Sequence, residues 1–172
     1  MNLHSTQTFQ VAFDSNFRDA QGNPLYPDFD LEALNQEPGL SWNYMDLGEV
    51  VQGEDLEGYD ALVLLLPRFS AESVSTDGRL SLVARFGVGF DTVDQQVCTD
   101  NGILLTNTPD AVRRPVAVSI VTLMMALTGK IFIKDRITRG GEKTWSQRSG
   151  QMGVGLVGKT LGSLGFGGIA GE

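Results

Sequence analysis

The sequence has few of the residues that form disulfides and metal sites. Its 172 residues include one cysteine, Cys98, and one histidine, His4. One cysteine cannot form an internal disulfide, and one histidine with one cysteine does not supply the ligand set of a zinc site. The carboxylates show no metal-ligand spacing. We therefore expect no metal site, no catalytic role for His4 and a reducing compartment.

Basic residues are also scarce, since 13 Lys and Arg stand against 21 Asp and Glu, a formal net charge of −8. Nucleic acids and anionic membranes attract basic surfaces, so neither is expected as a partner. The N-terminal residues show no signal-peptide pattern, and the most apolar helical segment, residues 116–127, is too short to span a bilayer. A cytoplasmic protein is expected.

Apolar segments of strand length alternate with helical or turn-rich segments over the first two thirds of the chain. The clearest strand is residues 59–66 (YDALVLLL), a continuous apolar run typical of a strand buried on both faces of a parallel sheet. Further strands are predicted at residues 8–13, 42–47, 80–86 and 103–106, with helices near residues 30–35, 71–76 and 93–100. Asp94 is expected to cap the last of these helices. This alternation predicts a parallel α/β sheet.

The pattern changes near Thr108, where we place a domain boundary that separates residues 1–108 from residues 109–172. Pro115 suits the first turn of a long helix, in which Val116, Ile120 and Leu127 share one face. The helical pattern continues through residues 131–137 and stops at two consecutive glycines.

Two nucleotide-binding patterns overlap near the end of the sequence. Residues 153–160 (GVGLVGKT) match the P-loop pattern, but no strand precedes them and no helix follows, so we interpret them as a loop with Lys159 at the surface. Residues 165–170 (GFGGIA) match the dinucleotide pattern, and residues 160–164 are a plausible strand before it. Gly165 is suited to the tight turn, Gly167 to a close approach of the pyrophosphate, and Ala170 to helix–strand packing.

Three segments together make the sequence similar to the D-isomer-specific 2-hydroxyacid dehydrogenases, namely ARFGVGFDTVD (84–94), GILLTNTP (102–109) and GKTLGSLGFGGIA (158–170). The resemblance runs from about Tyr59 onward. It implies an α/β protein with a flavodoxin-like substrate domain, followed by the start of a Rossmann NAD(P)-binding domain. The long helix after Pro109 then implies a homodimer.

The resemblance also implies substrate-binding residues. The backbone amides of Val88 and Gly89 are expected to hold the substrate carboxylate, with a plain strand-to-helix turn as the alternative. Arg68 lies near a position that contributes to the substrate pocket, and a surface ion pair is equally compatible with it. Arg85 and Asp91 are expected to form structural pairs within the loop.

The cofactor implied by the resemblance is NAD or NADP, bound by the residues of the second glycine motif: Gly165, Gly167, Gly168, Ile169 and Ala170. Arg113 and Arg114 are interpreted as solvated charges at the start of a helix, and Cys98 as a packed helical residue.

The function implied is that of an NAD(P)-dependent oxidoreductase acting on the CH–OH group of a D-2-hydroxy acid of the phosphoglycerate, glycerate/hydroxypyruvate or glyoxylate type. The catalytic arginine, glutamate and histidine of that family are expected beyond residue 172, so the chain alone is expected to be inactive. One alternative is a non-catalytic dimerising or small-acid-binding protein on the same fold. Another is a nucleotide-sensing partner protein, as in the co-repressor branch of the family.

Overall fold

The computed structural model describes residues 8–26 and 30–172, so the expectation for His4 lies outside the described residues. The chain divides into two compact units, Met1–Pro109 and Asp110–Glu172. Each unit is described by itself.

The first unit is built on one sheet, whose strands within the described residues are all parallel and lie in the order β2-β1-β3-β4-β5. This order is that of flavodoxin-like folds. The prediction of a flavodoxin-like α/β fold for this unit is therefore confirmed. The strands are β1 (Phe9–Asp14), β2 (Leu40–Met45), β3 (Ala61–Leu64), β4 (Leu82–Arg85) and β5 (Leu104–Thr106).

The apolar run at residues 59–66 forms the central strand β3, which lies between β1 and β4. Because successive side chains of a strand point to opposite faces, β3 contributes to two hydrophobic clusters. Leu62 and Leu64 pack in one cluster, and Ala61 packs in the other. Both faces of the sheet are thus covered, which explains why β3 lacks the alternating pattern of a half-exposed strand.

Short helices connect the strands of this unit. These are α1 (Glu32–Gln36), α2 (Gln95–Asp100) and 3-10 turns at Ser15–Phe17, Gly53–Leu56 and Ala71–Ser73. Asp94 caps α2 as predicted, because its Oδ1 accepts the N–H groups of Gln96 at 2.9 Å and Val97 at 3.2 Å. The helix predicted at residues 71–76 is only the single turn Ala71–Ser73.

The second unit is helical, with α3 (Arg113–Thr128), α4 (Ile131–Arg139), α5 (Glu142–Trp145) and a 3-10 turn at Ser146–Gly150. The prediction of one long helix through residue 137 is wrong. Lys130 adopts the left-handed conformation, with φ of 52°, so the helix breaks after Gly129 and the axes of α3 and α4 differ by 58°. None of the described helices is by itself long and apolar enough to cross a membrane, and α3 with α4 meets that test only as a bent pair.

The strand predicted at residues 160–164 does not form, and these residues are exposed. A strand needs a neighbour to accept its backbone hydrogen bonds. No strand is found among the residues of the second unit, so the segment has none.

Candidate functional site

The predicted substrate-binding residues lie where strands of the first sheet end. In parallel α/β folds, ligands bind outside the carboxyl ends of the strands. Arg68 follows β3, Val88 and Gly89 follow β4, and Asn107 begins the segment after β5. These three strands are neighbours in the sheet, so the structure brings the segments to one edge.

The segment after β4 is held to the segment after β5 by three hydrogen bonds. The N–H of Gly87 donates to Thr108 Oγ1 at 3.0 Å, and the N–H of Thr108 donates to the Gly87 carbonyl at 2.9 Å. Asn107 Nδ2 donates to the Val88 carbonyl at 2.9 Å. The carbonyl groups of Gly87 and Val88 therefore both face the end of β5.

The amides of Val88 and Gly89 are left without partners. Among the described residues, neither N–H group has a hydrogen-bond acceptor, and both residues are exposed. Gly87 enables this geometry with a φ of 132°, a conformation that side-chain-bearing residues rarely adopt. Successive free N–H groups form a concave donor surface that suits an anion.

Asp14 lies at the end of β1, the strand next to β3 at this edge of the sheet. Its carboxylate is fully buried at the end of β1, where Oδ2 accepts the N–H groups of Leu65 at 3.1 Å and Leu66 at 3.0 Å. Oδ1 accepts the N–H of Asn16 at 3.0 Å and its side-chain amide at 2.6 Å. Asp14 thus ties β1 to the segment that leads from β3 to Arg68.

Arg68 has a fixed backbone and an exposed side chain. Its N–H donates to the Glu49 carbonyl at 2.9 Å, and its carbonyl accepts the N–H of Val51 at 2.9 Å. No carboxylate lies within ion-pair distance of its guanidinium in the described part of the chain. The surface ion pair that the sequence left open is therefore not formed there.

Arg85 and Asp91 do not form the predicted pair. The half-buried Arg85 side chain instead folds back and donates to the Phe86 carbonyl. The Asp91 carboxylate lies beside Gly89, with Oδ2 3.8 Å from the place of a Cβ on that glycine. The prediction failed because the Arg85 guanidinium packs against Gly87 rather than along the loop toward Asp91.

Three residues that the sequence analysis did not single out hold the segments of the candidate site by hydrogen bonds: Asp14, Asn107 and Thr108. All three are polar residues at or directly after the carboxyl end of a parallel strand, which is the signal that identifies such positions.

Cys98 is buried in α2. Its burial, and to a smaller extent the negative charge of Asp94, raise the pKa of its thiol. Cys98 is therefore a packed residue, as predicted, with little thiolate at neutral pH.

The second glycine motif lies in an exposed turn of the second unit. Gly165 has a φ of 89°, and a Cβ on Gly168 would lie 2.6 Å from Arg113 Nε. The residue types suit a pyrophosphate, but no strand precedes the turn and no helix begins after it. As folded here, Gly165, Gly167, Gly168, Ile169 and Ala170 do not offer the helix N-terminus that binds phosphate.

The arginines at the start of α3 are paired with carboxylates. Arg113 contacts Asp110 at 2.9 Å and Arg114 contacts Glu172 at 3.0 Å, all in the second unit. The P-loop pattern at residues 153–160 forms an exposed loop without a flanking strand or following helix, in agreement with its interpretation as a loop with Lys159 at the surface. Among the described residues, no cluster of His, Cys, Asp and Glu is arranged to hold a metal ion.

Comparison with protein-family models gives a match to part of the chain. Residues 41–119 match the model described as "D-isomer specific 2-hydroxyacid dehydrogenase, catalytic domain". This range includes β2 except its first residue, β3 to β5 and the start of α3, and therefore all the segments that meet at the candidate site except the end of β1.

Curated relatives agree with this match. A glyoxylate reductase of Thermococcus kodakarensis is 37% identical over 117 residues, which are 64% of this chain and 34% of that protein. The chloroplastic D-3-phosphoglycerate dehydrogenase 2 of Arabidopsis thaliana is 39% identical over 95 residues, which are 55% of this chain and 15% of that protein. The chain spans about a third of the length of the glyoxylate reductases it matches.

Solved structures share the fold. A D-lactate dehydrogenase from Aquifex aeolicus, determined with NAD and lactic acid, aligns with a TM-score of 0.70 at 26% identity over 94% of this chain and 46% of that chain. The apo D-lactate dehydrogenase of Escherichia coli aligns with a TM-score of 0.65 at 23% identity, over 94% of this chain and 49% of that chain.

Proposed function

Because the chain belongs to the D-isomer-specific 2-hydroxyacid dehydrogenase family, we propose that it provides the substrate domain of an NAD(P)-dependent oxidoreductase acting on the CH–OH group of a D-2-hydroxy acid. The single observation that carries this proposal is the pair of exposed, unpartnered amides at Val88 and Gly89. The names of the relatives point to an acid of the glyoxylate or phosphoglycerate type, and the family resemblance adds the glycerate/hydroxypyruvate type.

In this proposal the substrate carboxylate accepts hydrogen bonds from the N–H groups of Val88 and Gly89. Hydrogen bonds to an ionised acceptor are stronger than neutral ones. Thr108 and Asn107 engage the carbonyl groups of the same loop, so the two amides keep their direction when the acid binds. Arg68 adds a positive charge at the same edge and attracts the anion. Fixing the carboxylate orients the neighbouring C2 atom, at which the family's chemistry takes place.

The cofactor proposed is NAD or NADP, with Gly165, Gly167, Gly168, Ile169 and Ala170 as its contacts in the whole protein. The exposed turn found here does not have the strand–turn–helix setting of a dinucleotide site. We therefore expect the 172-residue polypeptide to bind small acids through its first unit, but not to bind NADH or transfer hydride by itself. This behaviour is that of a small-acid-binding protein, the alternative function.

A homodimer is the proposed assembly. The helices α3 and α4 expose a series of large apolar side chains, which is more than a monomeric surface usually leaves in water. The series consists of Val116, Val118, Ile120, Val121, Leu123, Met125, Leu127, Ile131, Phe132 and Ile133. We propose that a second copy covers them. The location proposed is cytoplasmic.

The test of the proposed function uses the melting temperature of the purified chain. Millimolar glycolate should raise it, whereas glycolamide, which has the same shape without the negative charge, should not, because only an ionised acceptor is strongly held by two amides. NADH should have no effect. Equal effects of glycolate and glycolamide, or none from either, would contradict the proposed carboxylate site.

A further inference from the structure

Polar groups without partners are concentrated in the loop that follows β4. Two buried side-chain atoms of this segment, Arg85 Nε and Thr92 Oγ1, have no hydrogen-bond partner among the described residues. Between them lie the unpartnered amides of Val88 and Gly89. Buried polar atoms are nearly always hydrogen-bonded in native proteins, so Arg85 Nε and Thr92 Oγ1 call for an explanation. A polar ligand on this loop provides one.

Arg85 brings an uncompensated positive charge to this cluster. It is half-buried, and a Cβ on Gly87 would lie 2.9 Å from its Nη1, which places the guanidinium against the backbone of the loop. In the described part of the chain, the arginines that form ion pairs are Arg79, Arg113, Arg114 and Arg139. A partly buried guanidinium that lacks a carboxylate partner can pair with an anionic group of a ligand. The protein has a net charge of −8, so carboxylates are plentiful, yet among the described residues none lies within ion-pair distance of Arg85.

A second free cation follows the neighbouring strand. Arg68 comes four residues after Leu64, and Leu64 is the register partner of Arg85 in the β3–β4 pair. The loop after β4 therefore has an arginine at its start and another arginine after the adjacent strand. One carboxylate on the amides of Val88 and Gly89 neutralises only one of these charges.

We propose that Arg85 is a specificity-determining residue that binds a second anionic group of the substrate. The proposal rests on the proposed function, because it takes the first carboxylate to lie on the Val88 and Gly89 amides. It assigns the substrate to the 2-hydroxy and 2-oxo acids that have a second negative charge, either a phosphate ester or another carboxylate. A guanidinium binds both groups through parallel N–H donors, and so recognises the chemistry that they share.

Asp91 adds a negative charge next to the proposed carboxylate site. Its carboxylate lies beside Gly89 and opposes any anion on the neighbouring amides. A substrate with two negative charges is repelled more strongly than a substrate with one. Removing the charge of Asp91 should therefore tighten the binding of dianionic acids more than that of monoanionic ones, while removing the charge of Arg85 should do the reverse.

The test compares three ligands on the full 172-residue chain: glycolate, D-malate and D-3-phosphoglycerate. Dissociation constants come from the amide signals of Val88 and Gly89 in ¹⁵N–¹H spectra at low salt. We expect the two dianionic acids to bind about tenfold more tightly than glycolate, the size of one charge-assisted interaction. Arg85→Gln should weaken both dianionic acids about tenfold more than it weakens glycolate, and Arg85→Lys should retain part of the preference. Arg139→Gln removes a cation from α4 in the second unit and should leave the preference unchanged.

The outcomes separate the two proposals. If none of the three acids moves the Val88 and Gly89 signals, the proposed function itself is wrong. If glycolate binds as tightly as the dianionic acids, or if Arg85→Gln weakens all three acids equally, the role of Arg85 is wrong and the carboxylate site stands. Comparing D-malate with D-3-phosphoglycerate identifies the second group. If Arg85→Gln does not fold, Arg85→Lys decides, since a preference for the dianionic acids equal to that of the wild type would overturn the role of the guanidinium.

Discussion

Gly87 and Thr108 exchange two hydrogen bonds across the ends of β4 and β5: the N–H of Gly87 donates to Thr108 Oγ1 at 3.0 Å, and the N–H of Thr108 donates to the Gly87 carbonyl at 2.9 Å. This pairing fixes the loop that presents the Val88 and Gly89 amides. The geometry of the candidate site therefore depends on a residue that contacts no substrate in our account.

Thr108→Val removes the hydroxyl at nearly constant volume and leaves the N–H of Gly87 without an acceptor. We expect a loss of about 1 kcal/mol in the free energy of unfolding, measured by urea denaturation, together with weaker glycolate binding. Thr106→Val is the matched control, because Thr106 is exposed at the end of β5 and its hydroxyl has no partner among the described residues. Equal glycolate affinity in Thr108→Val and the wild type would show that this pairing does not shape the site.

Gly87→Ala should be far more damaging than Gly89→Ala. Gly87 has a φ of 132°, and an added Cβ would lie 2.9 Å from Arg85 Nη1, whereas Gly89 has no such φ and faces open space apart from Asp91 Oδ2 at 3.8 Å. The backbone conformation alone costs roughly 1–3 kcal/mol for a residue with a side chain. Urea denaturation of the two variants tests this, and similar stabilities would mean that the loop adopts another conformation in solution.

Asp14→Asn should destabilise the first unit. The Asp14 carboxylate is buried and accepts the N–H groups of Asn16, Leu65 and Leu66, and an asparagine at this position loses an acceptor oxygen and the negative charge. We expect a loss of about 3 kcal/mol in the free energy of unfolding. Asp46→Asn is the control, since Asp46 is exposed and accepts one bond, from the N–H of Gly48 at 3.3 Å. If Asp14→Asn lowers the free energy of unfolding no more than the control does, the hydrogen bonds of Asp14 do not stabilise the contact between β1 and the segment after β3.

Stability should fall at acidic pH partly through Asp77. Hydrogen bonds from the N–H of Gly58, at 2.7 Å, and from the N–H of Arg79 lower the pKa of this carboxyl in the folded state. A group whose folded pKa lies below its unfolded value stabilises the fold above the unfolded pKa, about 4, and loses that contribution as the pH falls through the folded value. Asp77→Asn should therefore flatten the loss of stability below about pH 4, measured by urea denaturation at several pH values. Glu37→Gln, which removes an exposed carboxylate without hydrogen-bond partners among the described residues, should leave the wild-type slope.

The sheet was predictable from the sequence because its strongest signals are local. The apolar run at residues 59–66 identifies β3, and Asp94 identifies the start of α2. The order of the strands is not local, and it entered through the family resemblance rather than through periodicity. The strand predicted at residues 160–164 failed for the same reason, since its apolar residues show only that it can be a strand and not that a neighbour is present to pair with it.

The candidate site was predicted only in part. Val88 and Gly89 were identified because their glycine-rich loop resembles a family motif. The hydrogen bonds of Asp14, Asn107 and Thr108 depend on which strand ends are adjacent in space, and the sequence pattern does not show this. The helix break at Lys130 was missed because Leu127 and Ile131 keep the four-residue apolar spacing across it.

The most direct test of the central claim is a ¹⁵N–¹H titration of the chain with glycolate, followed at the amides of Val88 and Gly89. Our account predicts saturable downfield shifts of these two signals, absent with glycolamide and absent from the amide of Gly87, whose N–H is already bonded to Thr108. Shifts confined to other residues, or equal shifts with glycolate and glycolamide, would contradict the proposal that these two amides bind the substrate carboxylate.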